Sequence, residues 1–268
     1  MAKGLSIHIG LNSVDPDHYE GWDGTLAACE ADAKDMQAIA KKRLFGSTRL
    51  LTSEATSTAV IGAIRTGAKQ LKKGDLLFIS YSGHGGQVRD TNRDEEKDRY
   101  DETWLLFDRQ LVDDELYALF GEFKPGVRIF VLSDSCHSGT VVRAIPAFVG
   151  GGPRVRAMPR SVGKKVEAAH AALYRKIQKD AGPAETARIR SSVVLISGCQ
   201  DNQLSSDGDR NGLFTARLRS VWRGGKFNGN LRAFRDKIAA GMPSDQTPNY
   251  FTAGTPDAAF EAKRPFTI

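Results

Sequence analysis

Two short runs gather the residue types that could do covalent chemistry. The apolar run Leu76–Tyr81 ends in Ser82-Gly83-His84-Gly85-Gly86, and Ile129–Leu132 ends in Ser133-Asp134-Ser135-Cys136-His137-Ser138-Gly139. A free thiol is only a few per cent ionised near neutral pH, and an adjacent imidazole can take its proton or stabilise the thiolate. The same imidazole can afterwards protonate a leaving amine. Cys136 is therefore the candidate nucleophile and His84 its base. Glycines on both sides of His84 leave the backbone open, so the N–H of Gly85 could join that of Cys136 in holding an oxyanion.

The other histidines and cysteines read differently. His137 adjoins the nucleophile and is a rival base, but on an extended backbone its side chain points away from that of Cys136. A cysteine in an apolar setting behaves as a small buried hydrophobe, which is the reading for Cys199. His8, His18 and His170 have no comparable surroundings and are taken as structural or exposed.

Both clusters have to be carried by strands. Leu5–Leu11, Leu76–Tyr81, Ile129–Leu132 and Val193–Ile196 are short apolar runs rich in Ile, Val and Leu that end in Gly, Ser or Asp. Helical spacing of apolar residues runs through Leu26–Leu44, Thr58–Leu71 and Asp113–Phe120, and two more helices and a short terminal strand follow Gly212. Such alternation implies a mostly parallel sheet covered on both faces, with its ligand crevice at the carboxyl ends of the strands. If the two cluster-bearing strands are neighbours, His84 and Cys136 meet at that edge. The polar stretch Gln87–Asp101 reads as a surface loop.

The 268 residues, 40% hydrophobic and 26% charged, suit a single globular domain with a sizeable core. The opening MAKGLSIHIG has no long apolar core and no small-residue cleavage site, so no secretory leader is expected. Three widely spaced cysteines argue against a disulfide framework and for a reducing, cytoplasmic setting. No stretch suggests a membrane span. The net charge of +6 is local: residues 150–190 carry ten Lys or Arg against three acids, which accounts for all of it. This basic segment opens with Gly-Gly-Gly-Pro and reads as a loop insertion with a helix over Val166–Ile177. Few aromatics interleave with its charges, which disfavours nucleic acid as a partner.

Tyr81-Ser82-Gly83-His84-Gly85 and Asp134-Ser135-Cys136-His137-Ser138-Gly139 together resemble the catalytic blocks of the metacaspase and bacterial caspase-like peptidases, members of the caspase superfamily. Nucleophile and base lie roughly 50 residues apart, as in caspases. Cys29-Glu30-Ala31-Asp32, Tyr100–Thr103, Val112–Leu116, Ser197–Asp201 and Asn211–Thr215 are similar to further family blocks. The resemblance implies a caspase-like α/β fold, a mostly parallel six-stranded twisted sheet flanked by helices in three layers. It also implies a cysteine endopeptidase, commonly monomeric, that acts on protein or peptide substrates after Arg or Lys. Asp134, two residues before Cys136, would supply a carboxylate beside the thiol that attracts a basic side chain and repels an acidic one. By the family pattern Asp32 and Ser82 are its companions, with Cys29 on the rim.

A calcium dependence is implied as well, with Asp101, Asp113 and Asp114 as candidate oxygen ligands. The sequence departs from that pattern where Thr140-Val141-Val142-Arg143 replaces a carboxylate of the calcium-dependent relatives. The alternative is that Asp113 and Glu115 serve a helix N-terminus. The basic insertion admits three readings: a solvated loop, a self-cleavage site or a docking surface for acidic partners. A catalytically silent scaffold that binds partners through its crevice is the rival to an active peptidase.

Overall fold

The computed structural model describes residues 2–91, 99–135, 154–184, 187–199 and 205–268. In chain order the elements are β1 (Gly4–Gly10), α1 (Cys29–Lys42), β2 (Gly46–Leu51), α2 (Ser57–Gln70), β3 (Leu76–Ser82), β4 (Gly85–Arg89), β5 (Tyr100–Leu105), β6 (Gln110–Val112), α3 (Asp113–Gly121), β7 (Arg128–Asp134), α4 (Arg160–Ala181), β8 (Ser192–Ser197), α5 (Leu213–Trp222), α6 (Leu231–Ala239), β9 (Asn249–Gly254) and α7 (Ala258–Glu261).

The unbroken apolar runs take the centre of the sheet because both of their faces are covered. β3 and β7 are buried at every position. Their residues alternate between two cores, as the two-residue strand period requires. Leu77, Ile79 and Tyr81 face α2 and α3, where Ile64 and Phe120 pack. Leu76 and Phe78 face the opposite layer, with Met36 of α1, Leu218 of α5 and Phe234 of α6. The result is a six-stranded sheet in the order β2-β1-β3-β7-β8-β9, parallel except for β9 and sandwiched between helices.

Two expectations need correction. The stretch Gln87–Asp101 is not simply a surface loop. Gly85–Arg89 and Tyr100–Leu105 pair as antiparallel strands of a second sheet, β4-β5-β6, with Asp101 opposite Val88. Among the described residues of that stretch Val88 and Asp101 alone are buried, too short an alternation to register against so many polar residues. The basic insertion carries the expected helix over Val166–Ile177, but longer at both ends. Its helix, α4, spans Arg160–Ala181, and its Val166 and Tyr174 share a small core with Val14, Tyr19 and Leu105. The half-exposed edge strand β2 and the short α7 were not read from the sequence.

Buried histidines make this fold sensitive to acid. His8 on β1 is fully buried with Nδ1 2.8 Å from Ser80 Oγ. Burial, reinforced by Arg49 and Lys41, pushes its pKa down to about 3. The unfolded chain takes up that proton near pH 6.5 whereas the folded chain refuses it until about 3, so stability falls as pH drops through that window. Denaturant melts between pH 7.5 and 5 should show this loss, and His8→Asn should flatten the slope. An unchanged slope would count against the assignment.

Candidate active site

β3 and β7 are neighbours, paired in parallel up to Ser82 opposite Asp134. Both clusters therefore start from one sheet edge, and His84 follows two residues beyond the end of that register. Its backbone is pinned from beneath: the Tyr81 hydroxyl lies 2.6 Å from the carbonyl oxygen of His84 and 2.9 Å from that of Leu105, its one proton shared between them. Its imidazole Nε2 lies 2.8 Å from the carbonyl oxygen of Gly24, with the ring 4.8 Å from that of Trp22. Gly24 is required there, because its φ is +57° and a Cβ would lie 3.1 Å from the imidazole and 2.8 Å from Trp22. A carbonyl can only accept, so Nε2 carries the proton and Nδ1 presents its lone pair. Among the described residues Nδ1 has no hydrogen-bond partner. Burial pushes the His84 pKa down to about 4 against the pull of the Gly24 hydrogen bond. At neutral pH the ring is a neutral proton acceptor.

Cys136, with the rival base His137, lies outside the described residues. The chain is described as far as Ser135, which is fully buried beside the end of β7 with its hydroxyl 2.9 Å from Ser133 Oγ. Cys199 is buried and its Sγ donates to the Ser135 carbonyl at 3.2 Å, a packing role in keeping with its reading from the sequence.

The expected acidic side chains do come together, and a basic one lies among them. Arg156 of the insertion is fully buried. Its Nη1 reaches Asp134 Oδ2 (2.9 Å), Ser82 Oγ (2.8 Å) and the Asp134 carbonyl (3.2 Å). Its Nη2 reaches Asp32 Oδ2 (2.8 Å) and Asp207 Oδ1 (2.9 Å). Each carboxylate is held from behind. Asp134 accepts from Ser205 Oγ and from the N–H and hydroxyl of Thr215; Asp32 accepts from Asn211 Nδ2; Asp207 accepts from the N–H of Ala27. A Cβ on Gly212 would lie 2.5 Å from the guanidinium carbon, which explains a glycine at that point of the Asn211–Thr215 block. Burial raises the Asp32 pKa to about 6 even against the Arg156 charge, with Asp134 adding to the rise. Cys29 is fully buried beneath the hollow rather than on its rim, and burial pushes its thiol up to about 12.

The backbone of Arg156 is placed as well. The N–H of Gly85, the expected oxyanion donor, donates to the Arg156 carbonyl at 3.0 Å, and Met158 N–H returns a bond to the Gly85 carbonyl at 2.9 Å. Sequence reasoning missed both Asp207 and Arg156. The only signal for Arg156 was a basic segment in a chain expected to bind basic side chains. Asp207 sits in Ser205-Ser206-Asp207-Gly208-Asp209, which reads as an ordinary polar turn.

The candidate calcium ligands occupy different settings. Asp101 is buried on β5 and Asp114 accepts from the N–H of Ala184, while Asp113 accepts from the N–H of Asp114. Glu115 reaches back to the N–H of Val112 and pairs with Arg109 at 2.7 Å. Among the described residues no group of three His, Cys, Asp or Glu is placed to hold a metal ion. No chemical step is routed through a cation.

With this geometry in place, similarity to known proteins can be read on particular residues. Residues 7–145 match the family described as metacaspase, peptidase C14 domain. The chain belongs to the metacaspase family of cysteine peptidases. It is similar to Metacaspase-1 of Mycosarcoma maydis, 31% identical over 249 residues, which cover 80% of this chain and 60% of the relative. Metacaspase-1A of Aspergillus clavatus is 32% identical over 252 residues, covering 81% of this chain and 57% of the relative. The match thus spans about 60% of the length of these curated relatives. Among solved structures, protein GSU0716 from Geobacter sulfurreducens superposes with a TM-score of 0.90 at 55% identity, covering 99% of this chain and 98% of that one. Caspase-1 from Spodoptera frugiperda shares the fold, with a TM-score of 0.54 at 11% identity over 94% of this chain and 86% of that one. Among the described residues no helix is long and apolar enough to cross a membrane.

The tautomer and charge of His84 can be checked directly. In Cys136→Ala protein, a ¹⁵N NMR titration should give His84 a midpoint well below 6.5, near 4, with the proton on Nε2 in the neutral form. A midpoint at or above 6.5 would contradict this assignment.

Proposed function

We propose that this metacaspase-family chain is an endopeptidase that cuts after Arg or Lys through Cys136 and His84, and that it cleaves itself in the basic insertion. The observation that carries this reading is Arg156: its guanidinium lies in the buried carboxylate hollow while its carbonyl oxygen accepts from Gly85 N–H. A substrate bound in this way presents a basic P1 side chain and a polarised carbonyl at the edge where His84 stands. By the same geometry, the bond following Arg156 is the one favoured for self-cleavage.

His84 Nδ1 takes the thiol proton as Cys136 Sγ forms a bond to the P1 carbonyl carbon, and the negative charge on oxygen is held by backbone N–H groups, Gly85 among them. The tetrahedral centre collapses with cleavage of the C–N bond, and the amine leaves with the proton from Nδ1. A thioester remains on Cys136. Water, losing its proton to Nδ1, adds to that carbonyl; the C–S bond breaks, and the proton returns to sulfur as the carboxylic acid departs.

A hollow already filled by the chain's own Arg156 is what favours the rival reading, a silent scaffold. Fluorogenic peptides with Arg, Lys or Asp at P1, assayed with Ca²⁺ and with chelator, separate the two. Turnover of the basic peptides alone is expected, with His84→Ala lowering kcat/KM by about 10²–10⁴-fold and Cys136→Ala abolishing it. Mass spectrometry should find a new N-terminus at Ala157 in the active chain and none in Cys136→Ala. Absence of turnover and of labelling by an arginyl thiol-reactive probe would leave the scaffold standing.

A further inference from the structure

Asp207 has no counterpart in the set Asp32, Ser82, Asp134 and Cys29 expected from the family pattern, yet its side chain is fully buried and takes part in two ion pairs with the same segment. The chain from Arg154 to Arg156 runs antiparallel to Ser205–Asp207, with Val155 bridged to Ser206. Arg156 N–H donates to the Ser205 carbonyl at 3.0 Å, and Asp207 N–H donates to the Arg154 carbonyl at 2.7 Å. Such pairing is how an extended peptide adds to a strand, the backbone setting the register and alternate side chains the specificity. Residues 154 and 156 project to the same side in that register. Both reach Asp207, Arg156 Nη2 at 2.9 Å from Oδ1 and Arg154 Nε at 3.5 Å from Oδ2. Asp209 adds an exposed contact to Arg154 at 3.6 Å.

The kind of cation is constrained as well. The Arg156 guanidinium meets five acceptor atoms: Ser82 Oγ, Asp134 Oδ2, the Asp134 carbonyl, Asp32 Oδ2 and Asp207 Oδ1. They are divided between its two terminal nitrogens. A lysine ammonium is a single nitrogen with three donors, fewer than the four N–H groups of the two terminal nitrogens, and would make fewer of these contacts.

We infer that Asp207 is a specificity residue shared by the P1 and P3 subsites, so that the preferred substrate is an extended peptide with Arg at both positions, Arg-x-Arg, cut after the second; this rests on the endopeptidase reading above. Asp207 discriminates because it is rigid and buried. Ala27 N–H fixes Oδ2 at 2.8 Å, and its pair with Arg156, out of water on both sides, is screened far less than one on the surface, while the pair with the half-exposed Arg154 is the weaker of the two.

Four peptides ending in Arg-Val-Arg, Gln-Val-Arg, Arg-Val-Lys and Gln-Val-Lys before the reporter group test this on the wild-type chain and on Asp207→Asn and Asp209→Asn. For wild type, kcat/KM is expected to favour Arg over Lys at P1 by tenfold or more and Arg over Gln at P3 by about fivefold. Asp207→Asn should bring both ratios to within about twofold, whereas Asp209→Asn should leave the P1 ratio unchanged. Equal rates for the four peptides on wild type would overturn the inference with no variant needed, as would ratios that survive Asp207→Asn. Cleavage after Arg with no P3 preference would leave the endopeptidase reading intact and remove this one. If no peptide is cut, the endopeptidase reading falls. Calorimetry of the same peptides on Cys136→Ala, Arg156→Gln protein, with and without Asp207→Asn, then decides the binding part alone: equal affinities overturn it, and Arg-Val-Arg binding at least fivefold tighter than the others, with the margin lost in Asp207→Asn, upholds Asp207 as the selector of the bound peptide.

Discussion

Three carboxylates buried within reach of one another can remain ionised only with a cation among them. Taking each out of water costs several kcal/mol, and mutual repulsion adds to it unless opposite charge and hydrogen bonds compensate. In this protein the compensation comes from a single guanidinium, that of Arg156, aided by Thr215, Ser205, Asn211 and the N–H of Ala27. The residues involved come from α1, the ends of β3 and β7, the 205–215 stretch and the basic insertion. Parts of the chain far apart in sequence are thereby drawn to one point at the carboxyl edge of the sheet.

The two halves of that edge differ in charge. Around His84 the surroundings are aromatic and backbone-lined, with Trp22 against the ring and Gly24 fixing its tautomer, so the imidazole is held neutral. A few residues away the hollow is densely charged. A neutral base suits proton transfer, and a charged pocket suits selection of a cationic side chain. Parallel strands allow both to stand at one edge because neighbouring strands deliver their ends side by side.

The Arg156 segment also accounts for the second sheet. β4 runs directly from His84, and Gly85 exchanges hydrogen bonds with both Arg156 and Met158. Val88 of β4, Met158 and Val166 of α4 then close a small core. Binding of the guanidinium and packing of α4 thus support each other, and the insertion is tied to the domain at both a charged and an apolar contact.

The sequence alone determined the central strands and the two polar clusters at their ends. Unbroken runs of Ile, Leu, Val and Phe are stable only where both faces are buried, and Gly-flanked His84 and Ser-Cys136 have few competing explanations. Its resemblance to a known family also pointed to Asp32, Ser82 and Asp134 as neighbours of one acidic hollow. Only the tertiary structure decided that Asp207 joins that hollow, that Arg156 fills it, that Cys29 lies beneath it and that Gly24 sets the tautomer of His84. These depend on contacts between residues dozens to more than a hundred positions apart, and an acid in a polar turn looks the same in sequence whether water or a buried guanidinium faces it.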